Sequence, residues 1–84
     1  MKQVTIYSKQ TCPYCDMAKK LLKEKGVVIF NEIRIDLDLA QKDKMIERTN
    51  RRTVPQIFIG DNHVGGFDEL AKLNRDGQLD ILLK

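Results

Sequence analysis

The sequence has no tryptophan, one histidine, two prolines and two cysteines, and no apolar run longer than Val27–Phe30. Each scarcity removes a class of protein. A bilayer span needs about 20 apolar residues, so no membrane association is expected. Lys9, Asp16 and Lys19 interrupt any apolar core of a secretory leader, so a cytoplasmic protein is expected. Two cysteines do not make a disulfide scaffold, and with His63 alone beside them they fall short of a sulfur-rich four-ligand zinc set. No metal is therefore expected. The net charge of +3 comes from 15 basic and 12 acidic residues spread along the chain, and no basic tract is interleaved with aromatics. Nucleic acid is not expected as a partner. The one basic cluster, Arg48 with Arg51 and Arg52, reads as a solvated helix end or as the source of a cation facing an anionic ligand.

What is present fits one small domain over residues 1–84, with 42% hydrophobic residues and neither repeat nor linker. Gln3–Ser8 alternates, with Val4 and Ile6 on one face and Thr5 and Tyr7 on the other, as a strand does. From Pro13 to about Lys25, Tyr14, Met17, Ala18, Leu21 and Leu22 have the spacing of one helix face, and Gly26 is the natural stop. Val28–Ile35 reads as a second strand, which makes a parallel βαβ unit. Asp36 or Asp38 can cap a second helix running to Thr49, with Leu39, Met45 and Ile46 inward and Asn50 ending it. Gln56–Gly60 and His63–Gly65 form a hairpin around Asp61-Asn62. A third helix covers Phe67 to about Leu73, and after Gly77 the residues Leu79, Ile81, Leu82 and Leu83 can cover the sheet. The expected fold is α/β and thioredoxin-like: a four-stranded mixed sheet, its first two strands parallel and then a hairpin, with helices on both faces.

Cys12-Pro13-Tyr14-Cys15 lies at the junction of strand and helix. Proline suits the first helical position, which makes Cys12 the N-cap and puts Cys15 inside the first turn. The unpaired N–H groups and positive end of the helix dipole favour a thiolate at Cys12. Cys12 becomes the attacking thiol and Cys15 the resolving one. A more stable thiolate gains little as an attacker, because nucleophilicity falls with basicity along a slope of about 0.4–0.5. As a leaving group it gains clearly. Thr53-Val54-Pro55 is a second element. Proline before a strand is a candidate cis bond, although cis accounts for only about 5–6% of X-Pro bonds. Such a loop exposes the Val54 backbone to an extended thiol ligand.

Cys12-Pro13-Tyr14-Cys15, Thr53-Val54-Pro55 and Gly65-Gly66-Phe67-Asp68, in this order and spacing, resemble the glutaredoxin family, above all its small single-domain dithiol members. The resemblance covers essentially the whole chain. It implies a redox-active Cys12–Cys15 pair, a cis Pro55, and glutathione as reductant and co-substrate. The glycine pair and Asp68 would hold the γ-glutamyl end, Val54 the cysteinyl backbone, and Lys9 the glycyl carboxylate, with Arg52 a second cation and Tyr14 flanking the groove. Thr53, Pro55, Gly66 and Phe67 complete the implied site. Phe67 stands where some relatives carry a third cysteine.

The chemistry of the ligand agrees, since glutathione has an ammonium and a carboxylate at one end and a carboxylate at the other. Asp68 answers the first end and Lys9 the second. Taken alone, Asp68 fits equally well as a first-turn acid that complements the helix dipole. Expected partners are glutathione and glutathionylated or disulfide-containing proteins, with the chain acting as a monomer. The competing expectations are a glutaredoxin-like thioredoxin reduced by a flavoenzyme, an iron–sulfur cluster carrier, and a structural protein with inert cysteines. His63 is expected on the hairpin surface and not as a general base.

Overall fold

The computed structural model describes residues 1–84. Strands β1 (Val4–Ser8), β2 (Asn31–Arg34), β3 (Gln56–Ile59) and β4 (Asn62–Gly65) form one sheet in the order β2-β1-β3-β4. The β1–β2 pair is parallel and the other two pairs are antiparallel. Helix α1 (Pro13–Glu24) joins the parallel pair, α2 (Leu39–Thr49) leads into β3, and α3 (Phe67–Arg75) and α4 (Gln78–Leu83) follow the hairpin. This is the thioredoxin-like arrangement that the alternation of elements predicts.

The sheet separates two cores. Val4, Ile6, Ile57 and Ile59 pack with Ala18 and Leu22 of α1, Leu70 of α3, and Leu79 and Leu83 of α4. On the opposite face Tyr7, Phe58 and Ile35 pack with Met45 of α2, and Ile33, Ile46 and Val54 close around them. The period of two along β1 and β3 sends neighbouring residues to different cores. Burying each large aliphatic side chain contributes about 1.5–3 kcal/mol, so both layers hold the sheet.

Several expected boundaries move. The second strand begins at Asn31 and not at Val28, because pairing with β1 starts at Thr5↔Asn31 and only Val4 of β1 lies beyond that register. Val28 and Ile29 stay in the connection, 82% and 85% exposed. Asp38 is the cap of α2, its carboxylate accepting from Ala40 N–H at 3.1 Å. Asp36 is engaged elsewhere, by the Arg34 guanidinium at 2.6 Å and by the Gln10 N–H at 3.2 Å. Leu39, expected to face inward, is exposed because the first helical position overhangs the open end of the helix. Helix α3 continues to Arg75, with Lys72 and Arg75 placed to complement its C-terminal dipole. In α4, Leu79 and Leu83 are buried one turn apart, so Ile81 faces outward instead of covering the sheet.

Candidate active site

The site is built where β1 ends and α1 begins. Pro13 is the first helical residue, and the Cys12 sulfur accepts from the backbone N–H of Cys15 at 3.2 Å, as a capping side chain does. Cys12 and Cys15 form a disulfide across Cα atoms 5.2 Å apart. Cys12 retains 7% of its surface and Cys15 only 1%, so the first sulfur is the accessible one. Behind the pair, Lys19 lies one turn further along α1. Glu32 accepts from it at 2.9 Å and from the buried Ser8 hydroxyl at 2.6 Å, which ties α1 to β1 and β2. These two donors, the Ser8 hydroxyl foremost, hold the Glu32 carboxyl below its ordinary value.

The Thr53–Pro55 loop faces Cys12. The Val54–Pro55 bond is cis, and the Val54 carbonyl oxygen lies 4.0 Å from the Cys12 sulfur. A carbon added at Gly66 would stand 3.4 Å from the Pro55 oxygen, so this glycine permits the close approach of loop and helix. Gly65 has φ +118°, a conformation that favours glycine, and a side chain there would run into the Glu69 carboxylate. That carboxylate accepts from the Gly66 N–H at 2.9 Å and from Arg51 at 2.6 Å. Both contacts hold it below its ordinary value, the Gly66 N–H foremost.

Two cavities of about 270 Å³ meet at Thr53 and Val54. One is lined by Tyr14, Pro55, Gly66, Phe67 and Asp68 together with Arg51, Gln56 and Glu69. Tyr14 and Phe67 form a tilted aromatic pair there, with ring centroids 6.2 Å apart. The other is lined by Lys9, Ile35, Lys42 and Arg52 and contains no acid. None of its three cations makes an ion pair within the chain. The residues singled out in the sequence are thus divided between an acid-bearing cavity and a cationic one, with the Val54 backbone between them. An extended ligand crossing Val54 meets an anion on one side and cations on the other.

The basic cluster is not simply a solvated helix end. Arg48 donates to the Tyr7 hydroxyl at 2.9 Å and stacks 3.9 Å above the Phe58 ring, Arg51 is committed to Glu69, and Arg52 alone joins the cationic cavity. Sequence reasoning passed over Lys42, Glu69 and Gln56. The three-residue step from Gly66 to Glu69 is the spacing of a capping box and was a usable signal for the second. Lys42 looks like any exposed helix lysine until α2 is docked.

The Glutaredoxin family model matches residues 4–64. Glutaredoxin 3 of Escherichia coli K12 is 54% identical over 84 residues, the whole of both chains. Glutaredoxin of Neisseria meningitidis serogroup A is 48% identical over 83 residues, 99% of this chain and 98% of the relative. Among solved structures, the glutaredoxin from Brucella melitensis superposes with a TM-score of 0.86 at 50% identity, over 100% of this chain and 90% of that one. A buckwheat glutaredoxin–glutathione complex superposes with a TM-score of 0.88 at 34% identity, over 98% and 76%.

Proposed function

Because the chain belongs to the glutaredoxin family and is a thiol–disulfide oxidoreductase, we propose that it draws its electrons from glutathione and acts on glutathione mixed disulfides and on protein disulfides. The Cys12 thiolate attacks the glutathione sulfur of a mixed disulfide, a Cys12–glutathione disulfide forms, and the target leaves as a thiolate that takes up a proton. Glutathione, as its thiolate, then attacks the glutathione sulfur of that disulfide. Oxidised glutathione forms and Cys12 departs as a thiolate. With a protein disulfide, Cys12 attacks first and Cys15 attacks the resulting mixed disulfide at the Cys12 sulfur. The target then leaves with both thiols reduced and the Cys12–Cys15 disulfide remains, the oxidised form described above. Two further glutathione molecules restore the dithiol.

One observation carries this reading: the Cys12 sulfur sits 4.0 Å from the carbonyl oxygen of Val54, a residue shared by a cavity bearing Asp68 and one bearing Lys9, Lys42 and Arg52. A tripeptide with an ammonium at one end and a carboxylate at the other fits that polarity. In this reading Asp68 takes the γ-glutamyl ammonium and the cations take the glycyl carboxylate. The Val54 backbone pairs with the cysteinyl backbone, while Tyr14, Thr53, Pro55, Gly66 and Phe67 complete the groove. The bound form of the buckwheat relative supports glutathione as the ligand. The 84 residues act as one domain and as a monomer in the cytoplasm.

The test is turnover of a small glutathione mixed disulfide and of a protein disulfide, insulin, each coupled to glutathione and its reductase, in wild type, Cys12→Ser and Cys15→Ser. The expected result is loss of all activity in Cys12→Ser, with deglutathionylation kept and dithiol reduction lost in Cys15→Ser. An inactive but folded wild type would overturn the glutathione dependence. Loss of both activities in Cys15→Ser would overturn the division of roles.

A further inference from the structure

Gln56 is one of two buried polar side chains, and the thiol chemistry makes no use of its amide. That amide nitrogen donates to the Thr53 carbonyl oxygen at 3.0 Å, with Thr53 Oγ1 at 3.4 Å. The amide oxygen lies 2.7 Å from Nε2 of His63 on β4. A backbone carbonyl oxygen only accepts, which assigns the Gln56 nitrogen to Thr53 and its oxygen to His63. The amide oxygen in turn only accepts, so His63 carries its hydrogen on Nε2. The bulge that steps the register from Phe58↔His63 to Ile57↔Gly65 seats this imidazole against the Phe58 ring, with centroids 5.0 Å apart.

The consequence lies in the peptide plane that Gln56 grips. The Thr53 carbonyl and the Val54 N–H belong to one planar, trans peptide unit and point in opposite directions. Fixing the oxygen therefore aims the N–H. We propose that Gln56 and His63 are positioning residues, a brace from β4 through β3 that aims the Val54 N–H at the backbone of the bound thiol substrate. This rests on the pairing of Val54 with the ligand proposed above.

The experiment compares the reduced full chain as wild type, His63→Phe and His63→Gln, with a glutathione mixed disulfide and with insulin as substrates. His63→Phe keeps a ring on Phe58 and loses the donor, whereas His63→Gln keeps a donor and loses the ring. A KM raised about three- to ten-fold in His63→Phe, with kcat held within about two-fold and KM recovered in His63→Gln, supports the brace. Equal KM in all three, or the larger loss in His63→Gln, overturns it. A wild type that ignores the mixed disulfide but reduces insulin sinks the glutathione reading alone, and the KM ranking on insulin then decides the brace. The amide resonance of Val54 in isotope-labelled protein is independent of turnover. Its displacement in His63→Phe and return in His63→Gln support the brace, and an unmoved resonance overturns it. If His63→Phe fails to fold, Gln56→Met carries the same comparison.

Discussion

The backbone N–H of Cys15 donates to the sulfur of Cys12 at 3.2 Å, so the residue proposed to resolve the disulfide also caps the sulfur proposed to attack. In the reduced protein the same N–H favours the Cys12 thiolate, while Cys15 stays inside the first turn. Cys12 is expected to be alkylated by iodoacetamide at pH 6 about ten-fold faster than Cys15 or more. Mass spectrometry of the peptides after a short exposure reads the site. Equal rates would return the pair to a structural role.

Gly65→Ala is expected to destabilise the fold by about 1–3 kcal/mol, because φ +118° is strained for alanine and the new carbon displaces the Glu69 carboxylate. Gly66→Ala, which meets the Pro55 oxygen at 3.4 Å and the Glu69 carboxylate at an ordinary 3.9 Å, is expected to lose clearly less. Denaturant midpoints at constant slope make the comparison.

Asp68 and Glu69 are neighbours with opposite expected roles. Asp68 makes no hydrogen bond or ion pair within the chain, so Asp68→Ala is expected to leave the denaturant midpoint unchanged and raise KM for glutathione about three- to ten-fold. Glu69 holds the Gly66 N–H and Arg51, so Glu69→Ala is expected to lower stability by about 1 kcal/mol. A stability loss in the first variant that matches the second would identify Asp68 as part of the helix start and not of the ligand site.

Acid is expected to weaken the fold in two stages. Partial desolvation of the otherwise exposed ring against Gln56 and Phe58, helped by the charge of Arg51, holds His63 below its ordinary 6.5, so the unfolded chain binds that proton first. Its contribution is complete above 6.5 and is lost as pH falls through the folded value. The Glu32 and Glu69 carboxyls sit below their ordinary 4.5, so their contribution is complete above 4.5 and is lost as pH falls further. Midpoints measured from pH 8 to pH 3 should be flat at first, decline gently below 6.5 and then fall more steeply. His63→Phe should remove the gentle part, and Glu32→Gln should reduce the steep part.

What the sequence determined by itself is what a few residues settle among themselves. The Cys12 cap spans three residues, Gly26 at φ +92° and Asn50 at φ +59° end their helices, and the alternation in β1 assigns its faces without reference to any partner. These interactions act within one turn of helix or one pleat, so neighbouring residue types encode them. The tertiary structure decided whatever depends on docking elements distant in the chain. Only the β1 register shows that Val28 and Ile29 have no strand to join, and only the seating of α2 separates Arg48 over Phe58 from Lys42 and Arg52 at the cationic cavity. The chain from His63 through Gln56 to Thr53 also crosses from β4 to the loop before β3. Its partners are joined by a bulge in the hairpin, which no local pattern of residues specifies.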